Sequence, residues 1–335
     1  MPEIRFNVVT KDWVIIAPER AKRPEDFIKK GGQGEPLPAF KENCPFCPGH
    51  EHLTPPETYR RGTEEAWSVR SIPNKFSALA REGTLEESQA GLKRTMNGVG
   101  LHDVIIESPL HNQPPALLTP EGFLELMKAY RDIYRLFYQD PRVKMVILFK
   151  NHGVAAGTSL EHPHSQIVGT PVIPPQIGYR IEESKRYFED TGECLYCKIL
   201  AEEFQDRDRI VVESEQFVSF VPYAALSPFH IWTYPKRHMA SFESISEGEL
   251  IGLSRVLGEV LKRLYFGLDN PDYNLVLRSI PDPLKNNAFY HFYFAIVPRL
   301  TKAAGFELGS GMFINTQLPE KDAAFLREVR IPDSE

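Results

Sequence analysis

Residues 162–166 read His-Pro-His-Ser-Gln, and they stand between a glycine-bearing loop and an apolar stretch. Residues 291–293 read His-Phe-Tyr and occupy a similar place further along the chain. Before each motif, apolar residues recur at helical spacing, which predicts amphipathic helices over 118–138 and 247–265. The same order of features on both occasions indicates that the chain is a diverged duplication.

Strand patterns surround both helices in the same order. The predicted strands cover residues 7–18, 143–149, 164–168, 217–221, 230–234, 274–277 and 291–297. This strand and helix order predicts an α+β fold, with a mainly antiparallel sheet and covering helices. It is built from two tandem equivalent halves, which we place at residues 1–180 and 181–335.

Composition excludes several classes of protein. The 335 residues are 42% hydrophobic, which rules out disorder as the main state, and the net charge of −6 does not favour nucleic acid. Residues 1–20 lack the apolar core of a signal peptide, and the apolar stretches are too short to span a bilayer. We therefore expect a cytoplasmic protein with neither a nucleic-acid nor a membrane partner.

All four cysteines fall into two Cys-x-x-Cys pairs, one in each half. In a reducing compartment such pairs are most often metal ligands, although a redox pair is the alternative. Two histidines in each half complete a tetrahedral set, which predicts two structural zinc sites. The predicted ligands are Cys44, Cys47, His111 and His162 in the first half, and Cys194, Cys197, His238 and His291 in the second. Rival ligands are His50 and His52 in the first half and His230 in the second.

The second histidine of the first motif differs from its counterpart. Aligning the motifs keeps His162 as His291 but replaces His164 with Tyr293, so the metal ligand is retained and the additional histidine is not. A metal-held neighbour and the fixed backbone of Pro163 would present His164 with little freedom. An imidazole held in this way can act as a nucleophile on phosphorus. The alternative is that both histidines bind metal.

Polar groups around His164 suit phosphate oxygens. Backbone N–H groups, hydroxyls and amides of this kind stabilise the charge that develops during phosphoryl transfer. The candidates are Asn151, Gly153, Gly157, Thr158, Ser159, Ser165 and Gln166. Of these, Ser165 and Gln166 stand beside the histidine and join it as candidate catalytic residues.

Several motifs resemble those of the galactose-1-phosphate uridylyltransferases, a family within the histidine triad superfamily. The resemblance runs nearly end to end, and the stretches that carry it are residues 20–24, 44–47, 72–76, 107–111, 149–153, 162–166 and 305–307. It implies two histidine-triad-like halves, a homodimer, and ping-pong transfer. His164 would attack the α-phosphorus of UDP-glucose, release glucose 1-phosphate, and pass the held UMP to galactose 1-phosphate.

The resemblance also implies roles for individual side chains. Gln166 would contact the transferred phosphoryl group, and Asn151, Gly157 and Ser159 would lie at the phosphates. The nucleotide would be bound by Arg20, Arg23 and Asn74, and the hexose by Phe306 and Glu307.

Some positions depart from the bacterial pattern of this family. Ser165 stands where that pattern has glycine, and the second metal set contains a Cys pair. These features resemble the plant ADP-glucose phosphorylase branch, which moves AMP through the same histidine. Two alternatives to a uridylyltransferase therefore remain, namely an enzyme that uses ADP-glucose and inorganic phosphate, and a zinc-stabilised nucleotide-binding module without turnover.

Overall fold

The computed structural model describes residues 1–20, 37–281 and 287–332. The strands, in chain order, are β1 (Glu3–Phe6), β2 (Trp13–Ile16), β3 (Tyr59–Gly62), β4 (Trp67–Pro73), β5 (Glu87–Ala90), β6 (Lys93–Met96), β7 (Leu101–Ile106), β8 (Met145–His152), β9 (His164–Thr170), β10 (Ile210–Glu213), β11 (Phe217–Phe220), β12 (Ile231–Pro235), β13 (Tyr273–Arg278), β14 (Tyr293–Pro298) and β15 (Phe313–Asn315). The α-helices are α1 (Pro120–Phe137), α2 (Pro175–Thr191), α3 (Leu195–Asp206), α4 (Glu247–Gly267), α5 (Gly305–Ser310) and α6 (Pro319–Glu328).

A ten-stranded antiparallel sheet runs through both halves. Its order is β10-β11-β12-β14-β13-β8-β9-β7-β4-β3, so the strand order of one half mirrors that of the other. The halves meet where β8 pairs with β13, with Asn151 opposite Asn274. The expectation of two tandem halves sharing an α+β, mainly antiparallel architecture is confirmed.

Helices α1 and α4 cover one face of this sheet and pack against each other. Thr119 caps α1 by accepting a hydrogen bond from Gly122 N at 3.1 Å, and a capping box between Ser246 and Glu249 starts α4. The buried faces of both helices belong to one continuous apolar core. Because apolar periodicity and caps coincide, both helices lie where the sequence predicts them.

The predicted strand over residues 7–18 is wrong in its first part. A turn separates β1 from β2, because the Asn7 side chain accepts hydrogen bonds from the backbone N–H groups of Val9 (3.0 Å) and Thr10 (3.2 Å). Such an Asx turn competes with extended backbone. The resulting hairpin joins β15, which pairs in parallel with β2.

No helix in the described part of the chain is long and apolar enough to cross a membrane.

Candidate active site and metal centres

The first Cys-x-x-Cys pair meets two histidines in a buried cluster. Sγ of Cys44 lies 3.6 Å from Nδ1 of His162, and Sγ of Cys47 lies 3.7 Å from Nδ1 of both His111 and His162. Tetrahedral zinc with its usual bond lengths would hold sulfur and nitrogen about 3.6 Å apart. These four side chains therefore fit a metal ion.

Outer contacts orient both imidazoles. His162 Nε2 donates to the carbonyl of Ser108 at 2.8 Å, and His111 Nε2 lies 3.5 Å from the Glu161 carboxylate. Both contacts leave Nδ1 facing the thiols, as hydrogen-bond partners on the far ring nitrogen of metal-binding histidines do. The rival ligand His50 instead donates from Nδ1 to the carbonyl of Cys44 at 2.7 Å, and neither His50 nor the exposed His52 belongs to the cluster.

The second pair forms a matching cluster in the other half. Sγ of Cys197 lies 3.3 Å from Nδ1 of His238 and 3.6 Å from Nδ1 of His291, and Cys194 completes the group. The rival His230 lies outside it, because its Nε2 accepts a hydrogen bond from Trp232 Nε1 at 3.1 Å. The two clusters could each bind a metal ion.

His164 is held in one tautomer at the start of β9. Its Nδ1 lies 2.8 Å from the carbonyl oxygen of His162. A carbonyl oxygen only accepts hydrogen bonds, so Nδ1 carries the proton and Nε2 keeps its lone pair. His164 is 7% exposed, and burial lowers its pKa, which favours the neutral imidazole.

This histidine lies at the junction of two cavities. One, of about 350 Å³, is lined by Asn74, Ser159 and Gln166 together with apolar residues such as Phe46 and Phe76. The other, of about 270 Å³, is lined by Asn151, His152 and Thr158 among others. A molecule with two chemically different ends could occupy both cavities with its centre beside His164.

The loop after β8 is anchored to the second half. Gly153 has a φ of +81°, and a Cβ there would lie 2.3 Å from the Asp272 carboxylate, so only glycine fits. Asn151 Oδ1 accepts from Asn274 Nδ2 at 2.8 Å, and Gly157 stands close to the Asn151 amide. The second half thus shapes the loop that lines a cavity beside His164.

Ser165 differs from its expected role as a phosphate donor. Strand alternation places its side chain on the helix side of the sheet, opposite His164 and Gln166. Its hydroxyl donates to the Glu107 carboxylate and lies within hydrogen-bonding distance of the Tyr130 hydroxyl. Ser165 is 1% exposed and lies beneath the site rather than in it.

A buried ion pair completes this network. Lys150 Nζ donates to Glu107 at 2.6 Å and to the carbonyl of His164 at 3.1 Å, while Tyr130 OH donates to Glu107 at 2.8 Å. Burial alone would raise the pKa of Glu107, but Lys150 and the two hydroxyls outweigh it and lower that pKa. Sequence patterns did not assign a role to this pair.

The second half lacks these groups at matching positions of the sheet. Val104 faces Gln166 across β7 and β9, and Trp232 faces Ala295 across β12 and β14. When His164 is aligned with Tyr293, Ala295 takes the position of Gln166, and the facing residues Val104 and Trp232 then also correspond. The same alignment places Tyr293 at the position of His164, Leu277 at that of Lys150, and Phe294 at that of Ser165. The second half therefore has no counterpart of His164 or of the polar groups beneath it.

Three predicted substrate contacts lie away from both cavities. Among the described residues of one chain, Arg20, Phe306 and Glu307 line neither cavity around His164. The Ala304 N–H, which donates to the Glu307 carboxylate at 2.9 Å, lowers the pKa of Glu307, with a weaker effect from nearby Arg20. Arg23 lies outside the described residues.

Comparison with known proteins shows the family of the chain. Residues 1–174 match the family model for the N-terminal domain of galactose-1-phosphate uridyl transferase, and residues 180–331 match its C-terminal domain. The chain belongs to the galactose-1-phosphate uridyl transferase family. Members of this family are nucleotidyltransferases.

Two sequence relatives within the family carry different names. The chain is 36% identical over 336 residues to ADP-glucose phosphorylase of Arabidopsis thaliana, covering 98% of this chain and 93% of the relative. It is 28% identical over 341 residues to galactose-1-phosphate uridylyltransferase of Thermotoga maritima, covering 99% of each. Both alignments extend over nearly the whole of the chain.

Solved structures of the family show the same fold. An ADP-glucose phosphorylase from Arabidopsis thaliana with bound ADP-glucose superposes with a TM-score of 0.84 at 33% identity, covering 99% of this chain and 100% of that one. A uridylyltransferase structure superposes with a TM-score of 0.74 at 27% identity, covering 98% and 97%.

Proposed function

We propose that the protein transfers a nucleotidyl group through a covalent intermediate on His164. The observation that carries this proposal is the hydrogen bond from Nδ1 to the His162 carbonyl, which leaves the Nε2 lone pair as the nucleophile. Nε2 attacks the α-phosphorus of a nucleoside diphosphate sugar, forming an N–P bond as the bond from phosphorus to the bridging oxygen breaks. The hexose 1-phosphate leaves with that electron pair.

The second step reverses the first with another acceptor. A phosphate oxygen of the acceptor attacks the phosphorus, the N–P bond breaks, and its electron pair returns to Nε2. Neither step needs a net proton from the enzyme, because Nδ1 keeps its proton throughout. Non-catalytic nucleotide binding does not account for a neutral, backbone-fixed imidazole between two cavities.

The polar residues around His164 support this assignment. We assign Asn74, Ser159 and Gln166 to the nucleotide, because they line the cavity that also contains apolar and aromatic side chains. Asn151 lines the other cavity, where the phosphates and sugar would be bound, and Gly157 stands next to the Asn151 amide. Gln166 is the assigned contact for the transferred phosphoryl group, since it follows His164 on the same face of β9.

We propose ADP-glucose as the nucleotide donor and inorganic phosphate as the acceptor. Sequence patterns favoured UDP-glucose and galactose 1-phosphate and kept the adenylyl reaction as the alternative. The 36% identity to an ADP-glucose phosphorylase, against 28% to a uridylyltransferase, supports that alternative. The TM-scores of 0.84 and 0.74 favour it as well.

Zinc is the metal that we propose for both clusters, because each set contains two thiol and two imidazole donors at tetrahedral spacing. Bound zinc would supply folding free energy rather than chemistry. The chain's own residues position His164. With His162 fixed at the first cluster, its carbonyl oxygen holds Nδ1 of His164 in place.

A homodimer is the proposed assembly. Arg20, Phe306 and Glu307 line neither described cavity of their own chain. The homodimer implied by the family resemblance would bring these residues to the site of a second chain. We therefore assign them to substrate binding across the subunit boundary.

A labelling experiment tests the function. The protein is incubated separately with ADP-glucose and UDP-glucose, each labelled at the α-phosphate, and glucose 1-phosphate release is measured. Acid-labile, alkali-stable label on His164 is expected from ADP-glucose, and added phosphate should remove it as ADP. Preferential labelling from UDP-glucose would restore the uridylyl assignment, whereas label on serine, or turnover by His164→Ala, would overturn the mechanism.

A further inference from the structure

We propose that His102 is a positioning residue, which orients the side-chain amide of Gln166 so that its NH₂ group faces the transferred phosphoryl group. This inference rests on the proposed nucleotidyl transfer at His164. His102 lies on β7, the strand next to the one that carries His164 and Gln166.

The tautomer of His102 is set by a backbone donor. The N–H of Ala78 donates to Nδ1 of His102 at 3.1 Å. An N–H group cannot accept, so Nδ1 must be unprotonated, and the neutral ring then carries its proton on Nε2. That Nε2 lies 2.9 Å from Oε1 of Gln166 and donates to it.

A second donor approaches the same oxygen. Asn74 Oδ1 accepts from the N–H of Phe76 at 2.9 Å, so Asn74 Nδ2 is identified as its NH₂ group. Asn74 Nδ2 lies 3.5 Å from Gln166 Oε1 and can donate to it. Its 3.1 Å approach to the protonated Nε2 of His102 brings two donors together and is not a hydrogen bond. The amide oxygen of Gln166 is therefore held away from the substrate.

This orientation matters because the phosphoryl oxygens are anionic acceptors. The NH₂ group of Gln166 stabilises their charge, whereas a flipped amide would place its carbonyl oxygen against them. A free glutamine amide can rotate between these states. The N–H group on Nε2 of His102 selects the orientation in which the Gln166 NH₂ group faces the phosphoryl oxygens, before substrate binds.

The second half provides an internal comparison. Ala295 occupies the position of Gln166, and Trp232, which faces it, occupies that of Val104. His230 and His102 each lie two residues before these positions, so the two histidines correspond. There the histidine Nε2 accepts from Trp232 Nε1 at 3.1 Å, so its proton lies on Nδ1. The histidine is present in both halves, but it donates from Nε2 only in the half that has an amide to orient.

Two substitutions separate the donor from the rest of the side chain. His102→Leu removes the donor, whereas His102→Gln keeps an N–H group near the position of Nε2. In single-turnover labelling with ADP-glucose, we expect His102→Leu to slow formation of the nucleotidyl-His164 by about 10- to 100-fold, with little change in the half-saturating concentration. His102→Gln should recover most of that rate, and thermal unfolding checks that both variants are folded.

A double-mutant cycle then tests whether His102 acts through Gln166. In a Gln166→Ala background, His102→Leu should cause no further loss, since there is no amide left to orient. Additive losses, or equal rates for His102→Leu and His102→Gln, would overturn the positioning role while leaving the function intact. If the wild-type protein forms no nucleotidyl-His164, the proposed function itself fails.

One measurement does not depend on activity. With histidine nitrogens labelled with ¹⁵N, NMR distinguishes the two neutral tautomers, and His102→Leu assigns the signal. We expect His102 to carry its proton on Nε2. A proton on Nδ1 would contradict the proposal whatever the enzyme transfers.

Discussion

The ammonium group of Lys150 lies 3.1 Å from the carbonyl oxygen of His164 and donates a hydrogen bond to it. The same group pairs with Glu107, which in turn accepts from Tyr130 and Ser165. These side chains are all buried and come from β8, β9, α1 and the residue that follows β7. The backbone at His164 is thus fixed from below by a charged network, independently of the cluster that contains His162.

Replacing Lys150 with Met should destabilise the protein by about 3–5 kcal/mol, because it leaves the Glu107 carboxylate buried without its cation. Urea unfolding at neutral pH measures this change. The control is the double variant Lys150→Met with Glu107→Leu, which resembles the apolar second half and should recover most of the stability. A single variant within about 1 kcal/mol of wild type would contradict the expectation.

The two metal clusters should differ in their effect on activity. Cys47→Ser and Cys197→Ser should each lower the zinc content from about two ions per chain to about one and reduce the melting temperature. Only Cys47→Ser should also slow the labelling of His164, because its cluster holds His162. Metal analysis, melting curves and labelling rates check this. Unchanged melting of the metal-free protein would show that the clusters are not structural.

Low pH should destabilise the protein partly through His152. This ring stacks on Tyr273 with centroids 4.8 Å apart and donates from Nε2 to Asn270 at 2.7 Å. Burial, aided by Lys150, lowers the pKa of His152 to about 4. The unfolded chain therefore binds the proton first, so stability is lost as the pH falls from about 6.5 towards 4.

Comparison with His152→Gln isolates this contribution. The wild type should lose about 2 kcal/mol more than the variant over that pH interval. Chemical denaturation at several pH values measures the difference. All other titratable groups are the same in the two proteins, so their contributions to the free energy of unfolding cancel. Parallel pH profiles would show that His152 does not take part.

If residues of two chains complete each site, inactive variants should complement one another. His164→Ala lacks the nucleophile, and Glu307→Ala lacks the proposed hexose contact. Mixed dimers of these variants would contain one site with both residues intact. Co-expression with two different tags, followed by purification of the mixed dimer, should give close to half of the wild-type rate. A rate no higher than that of either homodimer would place Glu307 in the site of its own chain.

The helices and strands that the sequence predicts are those whose own residues carry a clear hydrophobic pattern. Helices α1 and α4 have apolar stripes and caps within their own sequence, so periodicity finds them. Helix α2 also has apolar residues at helical spacing, but Ile181 and Tyr187 are only partly buried beside Ser184, its one buried residue among those described, so its periodic signal is weaker than that of α1. Strand β4 contains the buried Arg70, which pairs with Glu57 at 3.0 Å and breaks the hydrophobic alternation.

The residues of the site also differ in whether a local sequence signal reveals them. The two clusters of cysteine and histidine could be predicted because a Cys-x-x-Cys spacing is local and occurs twice. His102 and Glu107 could not, because each is a polar residue in or beside a strand, and its partner lies on a different element. Lys150 and Gln166 become their neighbours only once β7, β8 and β9 pair. For Ser165 a local signal did exist, since side chains alternate along a strand and its neighbours on both sides face the cavities.

The β8–β13 pairing also determines what happens if the polypeptide is split between the halves. Each fragment would present an unpaired edge strand, whose free N–H and C=O groups invite aggregation or pairing with another copy. Co-expressed fragments could satisfy those groups by rejoining in the native register. In the intact chain the covalent link makes this association independent of protein concentration. The second half can therefore serve as a permanent partner for the half that carries His164, holding its edge strand and its loop after β8.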